Sequence, residues 1–233
     1  MNGFELLIVA LAVVLGSLIK GVTGLGLPLT AVPVIAFFVG VEDAVVIMAA
    51  PTVMSNAVLV REHRHELRSA EHLPLFAGLG AVGAVAGAWA LPRINERMLL
   101  LALALLLAAF LAWRFSSAAP RWSPNVQRWG RAPVALTCGL AQGAIGISGP
   151  LVAAWFQGLG VSRQRFVVSN TAIFLLTGLT QLATFSFTGQ WSKQRLWGAA
   201  LAATVVATAL PVSPSVRYRS LNAPVGSKNS ADR

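Results

Sequence analysis

Long apolar segments separated by short polar ones run through most of the chain. The apolar segments are residues 4–19, 27–39, 44–60, 73–91, 98–113, 132–160, 166–188 and 196–212. Several approach the roughly 20 apolar residues with which an α-helix crosses a hydrocarbon core of about 30 Å. They are continuously apolar and rich in Leu and Ala, whereas the strands of a membrane barrel alternate apolar and polar residues. The pattern predicts an all-α integral membrane protein.

Composition supports this class and excludes others. Of the 233 residues, 56% are hydrophobic and 11% are charged, whereas soluble chains carry about a quarter charged residues. In a soluble protein, the formal net charge of +10 would suggest a nucleic-acid partner, but the basic residues here are divided among separate loops. We therefore expect a lipid bilayer and no nucleic acid as partner. The single cysteine, Cys138, excludes an intramolecular disulfide and a cysteine-built metal site.

The distribution of Lys and Arg predicts the orientation in the membrane. If segments 61–72, 114–131, 161–165 and the tail after residue 212 share one side, that side holds 13 basic residues. The opposite segments, 40–43, 92–97 and 189–195, hold 4. The positive-inside rule makes the basic side cytoplasmic, so the N-terminus is predicted outside and the tail inside. Residues 1–5 contain an acid and no basic residue, so segment 4–19 is interpreted as a mature membrane helix rather than a signal peptide.

Two segments of the chain resemble each other. KGVTGLGLPL at 20–29 aligns without a gap to QGAIGISGPL at 142–151. The turn that follows the first segment is acidic, with Glu42 and Asp43, and the turn that follows the second is basic, with Arg163 and Arg165. An inverted repeat explains this reversal, because it places the acidic turn outside and the basic turn inside. Inverted repeats are typical of secondary transporters, with the substrate site at the repeat interface.

The lengths of the repeated units predict hairpins that do not cross the membrane twice. Residues 4–39 would span roughly 54 Å as continuous helix and residues 132–160 roughly 44 Å, whereas two crossings and a turn need ~60 Å. Each repeat is therefore expected to open with a broken or re-entrant Gly/Pro-rich hairpin. The predicted division is a first membrane repeat (1–113), a cytoplasmic connecting loop (114–131), an incomplete second membrane repeat (132–212) and a polar tail expected to be disordered (213–233).

Lys20 is the one charged residue between apolar stretches rather than in a loop or at a terminus. Such a residue costs at least ~2.5–3.5 kcal/mol on insertion scales and is usually functional. Free backbone amides and helix N-termini at the two tips would add an anion site. Alternatively, Lys20 snorkels to the interface and the glycines only allow close packing, the better interpretation for Gly83 and Gly87. The candidate substrate residues are Lys20, Gly21, Thr23, Gly24, Gly26, Pro28, Gln142, Gly143, Gly146, Ser148, Gly149 and Pro150. Other polar residues deep in the apolar segments are second-tier candidates, whose commoner use is hydrogen bonding between helices: Asn56, Asn170, Thr52, Ser55, Ser169, Thr171 and Gln181.

Enzymatic interpretations are disfavoured. The GISG sequence at 146–149 resembles the GxSG motif of intramembrane rhomboid serine proteases, whose serine needs a histidine base. The three histidines, His63, His65 and His72, all lie in the predicted loop 61–72. Their alternation with glutamates is typical of a solvated face rather than a metal site. We therefore predict no catalytic residue, no metal and no cofactor.

The segments LIKGVTGLGLPLTAVPVIAFFVG (18–40) and GLAQGAIGISGPLVAAWFQGLGVSRQRFVVSNTAIFLLTGLTQL (139–182) resemble the TauE/SafE sulfite-exporter family. The resemblance implies duplicated helical bundles with a Gly-rich element opening each half. It also implies a permease of the bacterial inner membrane for small anions such as sulfite, sulfonates, thiosulfate or related carboxylates. Carried over by position, it supports the Gly, Pro and Lys candidates of both tips as the substrate region.

The sequence departs from two complete repeats at its end. Nothing in the second half matches the Leu-rich segment 98–113, so either the chain dispenses with that helix or its C-terminal sequence is altered. The expected function is a small-anion permease that alternates access between inverted repeats. The alternative is a non-transporting membrane scaffold or assembly subunit, and homo-oligomerisation is compatible with either function.

Overall fold

A computed structural model describes residues 1–23, 26–62, 64, 67, 73–115 and 121–209. Nearly all of these residues are in helices. The helices are α1 (Gly3–Thr23), α2 (Leu27–Val39), α3 (Val41–Glu62), α4 (Leu73–Ala90), α5 (Glu96–Phe115), α6 (Pro124–Ile145), α7 (Gly149–Leu159), α8 (Arg163–Phe187) and α9 (Lys193–Ala209), with a 3-10 turn at Leu91–Arg93. Within these ranges there is no strand, and α1, α3, α4, α5 and α8 are long and apolar enough to cross a membrane. The predicted all-α integral membrane fold is confirmed.

Glycines with positive φ break both predicted hairpins. Gly26 precedes α2 with φ 151°, and Gly146 ends α6 with φ 69°. A Cβ at Gly26 would lie 2.9 Å from the backbone nitrogen of Lys20, so the chain turns back directly against the end of α1. Pro28 and Pro150 stand at the start of the helices that follow, where a missing N–H costs nothing.

Each hairpin combines a long and a short arm. The 21 residues of α1 extend ~31 Å and the 13 residues of α2 ~20 Å, at about 1.5 Å per residue. The corresponding arms α6 and α7, of 22 and 11 residues, extend ~33 and ~16 Å. Each therefore pairs one membrane-length helix with a shorter one. Aromatic pairs close the open ends: Phe4 meets Phe38 edge-on at 5.9 Å, and Trp122 stacks on Trp155 at 6.1 Å.

Each half of the chain packs a helix against the other half. Helix α4 of the first half packs on α6 and α8 of the second, and α9 of the second half packs on α1 and α3 of the first. Helices α3 and α8 pack on each other. Helices of each half of the chain therefore pack against helices of the other half.

Glycines allow the α4–α6 contact. A Cβ at Gly83 would overlap the carbonyl oxygen of Leu136, and one at Gly87 would overlap that of Leu140. From the other helix, a Cβ at Gly143 would overlap the carbonyl oxygen of Ala84. Gly83 and Gly87 therefore allow close helix packing, as the sequence indicated. Gly143 has the same role in α6, although the sequence assigned it to the substrate site.

The segments predicted to share the outer side do meet. Arg195 of α9 pairs with Glu42 at 2.8 Å and with Asp43 at 2.6 Å, and Glu96 of α5 accepts a hydrogen bond from the Val41 amide at 2.6 Å. Burial lowers the pKa of Arg195, but hydrogen bonds and Coulombic attraction to Glu42 and Asp43 outweigh it and raise that pKa overall. The Arg195 ion pairs link the first half to the second at one end of the molecule, and the Glu96 hydrogen bond joins two segments of the first half there.

At the opposite end, the connecting segment is shorter than expected. Helix α5 continues to Phe115 and α6 begins at Pro124, where the Ser123 hydroxyl accepts a hydrogen bond from the Val126 amide at 3.4 Å. The predicted loop 114–131 thus contains the first two turns of α6, because serine followed by proline is a favourable helix start.

Some predictions fall outside the described residues. These are the tip residue Gly24, the three histidines of loop 61–72, the missing counterpart of α5 and the polar tail 213–233. Gly21 and Thr23 belong to α1, but their side-chain surroundings are not described.

Candidate functional site

Lys20 lies near the C-terminal end of α1 with 1% of its surface exposed. Its Nζ donates hydrogen bonds to Ser55 Oγ and Asn56 Oδ1 of α3, both at 2.8 Å. Ser55 Oγ and Asn56 Nδ2 in turn donate to the Thr52 carbonyl at 2.9 and 2.8 Å, which orients both acceptors towards the lysine. The ammonium is held inside the helix bundle, so in this structure Lys20 does not snorkel to the interface.

Gln142 occupies the aligned position in the second tip. Its Nε2 donates to Gln181 Oε1 of α8 at 3.3 Å, and its Oε1 accepts from Ser148 Oγ at 3.0 Å. Gln181 Nε2 donates back to the carbonyls of Gln142 and Gly143, at 2.7 and 3.3 Å. Carbonyls in the last turn of a helix lack intrahelical partners. The Gln142 carbonyl also accepts a hydrogen bond from the Gly146 amide at the helix end, so Gln181 adds a second donor there and supplies a donor to the Gly143 carbonyl.

The two tips meet in one narrow crevice. It is lined by Gly26, Pro28 and Leu29 from the first tip, by Gln142, Ile147, Ser148 and Gly149 from the second, and by Phe174 of α8. Its volume is about 10 Å³, enough for about one water molecule. The prediction that both Gly/Pro tips contribute to one place therefore agrees with the geometry, although the space between them is closed.

Both short helices begin at this crevice. Helix α2 starts after Gly26 and α7 after Ser148. Glycine has no side chain with which to cap α2, and the Ser148 hydroxyl makes no cap hydrogen bond to α7 because it donates to Gln142 instead. The first amides of a helix lack intrahelical partners and carry partial positive charge, so the crevice is electrostatically suited to an anion.

Several predicted residues lie beside the crevice rather than in its lining. Lys20 is absent from the lining, because its ammonium is bonded to α3. Gly146 ends α6 and donates its amide to the Gln142 carbonyl at 3.0 Å, while Gly143 packs on α4. Pro150 is in the first turn of α7, one residue beyond the lining.

Asn170 is fully buried on α8. It precedes Phe174 by four residues, so the two share one face of α8, and Phe174 lines the crevice. Asn56 contacts Lys20 directly. Asn56 and Asn170 are therefore near the tips but outside the crevice.

Three of the other second-tier candidates belong to the site. Ser55 and Thr52 position the lysine, and Gln181 anchors the second tip. Their signal in the sequence was a polar side chain within an apolar segment, which interhelical hydrogen bonding explains equally well. Leu29, Ile147 and Phe174 give no such signal, since an apolar residue in a membrane helix is expected wherever it lies.

The chemistry of Ser148 is that of a hydrogen-bond donor. Its hydroxyl is bonded to the amide oxygen of Gln142, a group that cannot remove a proton as a histidine base would. Over the described ranges, there is no group of three or more His, Cys, Asp or Glu side chains that could hold a metal.

Comparison with known proteins gives one match. The protein-family model described as sulfite exporter TauE/SafE matches residues 8–214, which include both tips and every helix except the first residues of α1. Neither a curated protein nor a solved structure matches the chain.

Proposed function

The chain belongs to the sulfite exporter TauE/SafE family of membrane transporters, and on that premise we propose that it is a permease for a small oxyanion. The candidates are sulfite, a sulfonate, thiosulfate or a related carboxylate. The family membership confirms the resemblance noted in the sequence.

The crevice between the tips is the observation that carries the proposal. The amide ends of α2 and α7 and the polar side chains of Gln142 and Ser148 all lie at this crevice. Oxyanions suit such a site because several amides donate to separate oxygens while the helix ends favour negative charge. Apolar groups, including Phe174 and Ile147, keep the site dry, which strengthens each electrostatic contact.

Lys20 supplies the full positive charge beside this site. Its backbone nitrogen lies against Gly26, where a Cβ would stand 2.9 Å away, while its ammonium is bonded to Ser55 and Asn56. We propose that the ammonium exchanges one of these neutral acceptors for the anion when the tips separate. A neutral acceptor is exchanged more easily than a carboxylate, because hydrogen bonds to ionised acceptors are roughly twice as strong.

Alternating access is the proposed transport mechanism. The tips come from different repeats, and the crevice between them has room for about one water molecule, so the passage of an anion requires movement of one repeat against the other. The ion pairs of Arg195 with Glu42 and Asp43 join α9 to α3 at one end. In this scheme they hold that end closed and separate when it opens.

The proposed location is the bacterial inner membrane, with the N-terminus outside. Its support is the excess of Lys and Arg in one set of connecting segments. The segments assigned to the outer side also meet in the structure through Arg195 and Glu96.

Flux of radiolabelled sulfite and thiosulfate into proteoliposomes tests the proposal. Lys20→Ala should reduce flux roughly ten- to hundredfold, because a hydrogen bond to a charged group is worth about 1.5–3 kcal/mol and about 1.4 kcal/mol corresponds to a factor of ten. The matched control is Lys193→Ala, which removes an exposed lysine at the start of α9 and should leave flux unchanged.

Two outcomes would contradict the proposal at different levels. Unchanged flux in a correctly inserted Lys20→Ala protein would remove the role of the charge. Wild-type flux no greater than that of empty liposomes, for every anion tried, would overturn the permease itself and favour the membrane scaffold.

A further inference from the structure

A second cavity lies at the end of the molecule opposite the Arg195 ion pairs and outside the crevice. It is an open groove between α5, α7 and α8 with a volume of about 340 Å³. Its described lining consists of Phe110, Trp113, Arg114, Ala153, Phe156, Gln157, Val161, Arg163 and Phe166. This volume lies within the range of small-molecule sites in proteins.

The rim of the groove is positively charged. Arg114 is in the last turn of α5 and Arg163 is the first residue of α8. Two more basic residues lie close by. Arg165 is in the first turn of α8, and Arg121 precedes α6 with its guanidinium directly on Gly160. None of the described lining residues is acidic. The amide end of α8 adds partial positive charge at the same place.

The wall of the groove is apolar and aromatic. Phe110 contacts Trp113 with ring centroids 6.0 Å apart, and Phe156 meets Phe166 edge-on at 6.1 Å. Trp113 stands near the end of a membrane-length helix, where indole rings favour the headgroup level. The charged rim is thus at headgroup depth and the apolar wall continues into the hydrocarbon region.

We propose that this groove binds one anionic phospholipid. Its phosphate would lie between Arg114 and Arg163, and an acyl chain would lie along Phe110, Ala153 and Phe166. The charge on the rim favours an anion, and the apolar wall favours a chain attached to it. Basic pockets between membrane helices on the cytoplasmic side are typical sites for anionic headgroups, and the distribution of Lys and Arg places this end on the cytoplasmic side.

A free phosphate accounts for only part of the groove, since it would occupy the rim and leave the aromatic wall uncovered. A zwitterionic lipid would cover the wall but bring a cationic group towards the arginines. An anionic glycerophospholipid matches both parts. The proposal concerns a surface of α5, α7 and α8, and it does not depend on the crevice or on Lys20.

Native mass spectrometry of the full chain released from detergent micelles tests this inference, with phosphatidylglycerol, phosphatidylcholine and inorganic phosphate as probes. We expect one phosphatidylglycerol molecule to stay bound while phosphatidylcholine binds roughly tenfold less tightly or weaker. Arg114→Gln combined with Arg163→Gln should reduce the affinity for phosphatidylglycerol by roughly tenfold or more. The matched control is Arg128→Gln, an exposed arginine on α6 that does not line the groove.

A second variant keeps the test decisive if the double variant fails to fold. Ala153→Phe fills the groove without changing charge and should also prevent retention of phosphatidylglycerol. Equal retention of phosphatidylcholine, equal occupancy by inorganic phosphate, or unchanged lipid binding in Ala153→Phe would each overturn the proposal. Lys20→Ala should retain the lipid while losing flux, which separates this inference from the transport function.

Discussion

The two tips occupy equivalent positions in the repeats but are held differently. Lys20 and Gln142 align in sequence, and each is hydrogen-bonded to the long helix that follows its own hairpin, α3 or α8. The first tip places a charge on two neutral acceptors, whereas Gln142 joins Gln181 and Ser148 in a neutral network that also satisfies helix carbonyls. Under the proposed function, the first tip supplies the charge for recognition, while the neutral hydrogen-bond network holds the second tip rigid.

The largest effect on stability is expected from Gly143→Ala, a substitution in the second, rigid tip. Its Cβ would overlap the carbonyl oxygen of Ala84 and lie 2.6 Å from the Ala88 amide nitrogen. Because backbone atoms cannot move aside as a flexible side chain can, we expect a loss of about 3 kcal/mol or more in the free energy of unfolding.

Thermal unfolding in detergent measures this loss. The control is Gly78→Ala in α4, where a Cβ meets nothing within 4 Å, and where alanine should stabilise the helix by up to about 1 kcal/mol. A Gly143→Ala protein as stable as the wild type would show that α4 and α6 can separate without cost.

Gln142→Lys makes the second tip chemically like the first. A second buried ammonium costs about 2.5–3.5 kcal/mol on insertion scales, and the substitution also removes the acceptor of Ser148. We expect a lower unfolding temperature and impaired membrane insertion. Gln157→Lys provides the comparison, since Gln157 is an exposed residue near the end of α7 and should tolerate the charge.

If Gln142→Lys inserts and unfolds like the wild type, the two tips are interchangeable in charge. The division between a charged and a rigid tip would then be wrong. The measurement is a comparison of unfolding temperature and membrane yield between the two lysine variants.

The smallest change in stability is expected from Asn56→Asp, which tests whether the Lys20 ammonium must leave Asn56 during transport. A carboxylate in place of the Asn56 amide would pair with Lys20 but would lose the Nδ2 hydrogen bond to the Thr52 carbonyl, so the free energy of unfolding should change by less than about 1 kcal/mol. Flux should nevertheless fall, because the ammonium is then held by a stronger partner than the anion can displace. Full flux in this variant would show that the ammonium need not leave α3 during transport.

Much of the fold could be predicted from the sequence. The apolar segments coincide with helices, and both breaks occur where Gly and Pro cluster. Segments 40–43 and 189–195, which the loop charges assign to the same side, meet in the structure through Arg195, Glu42 and Asp43. The start of α6 was missed, because polar and basic residues before an apolar segment do not distinguish a loop from a helix end.

The candidate site was only partly predictable, because polar groups in spans have more than one use. The repeat identified both tips, and Gly26, Pro28, Gln142, Ser148 and Gly149 do line one crevice. Spacing along one helix cannot show which neighbouring helix a residue faces. For that reason Gly143 was assigned to substrate although it packs on α4, and Gln181 was ranked only as a second-tier candidate although it anchors the tip.

The sequence by itself determined the class of the protein, its helices, the duplicated tips and the one charge among the apolar segments. Hydrophobicity, glycine and proline act locally or through the partition between water and lipid, so a linear pattern is enough to identify them. Only the tertiary structure decided that Lys20 is bonded to Ser55 and Asn56, that the tips meet, and that Arg114 and Arg163 share a groove. Those contacts join residues far apart in the chain, and their geometry depends on how whole helices pack.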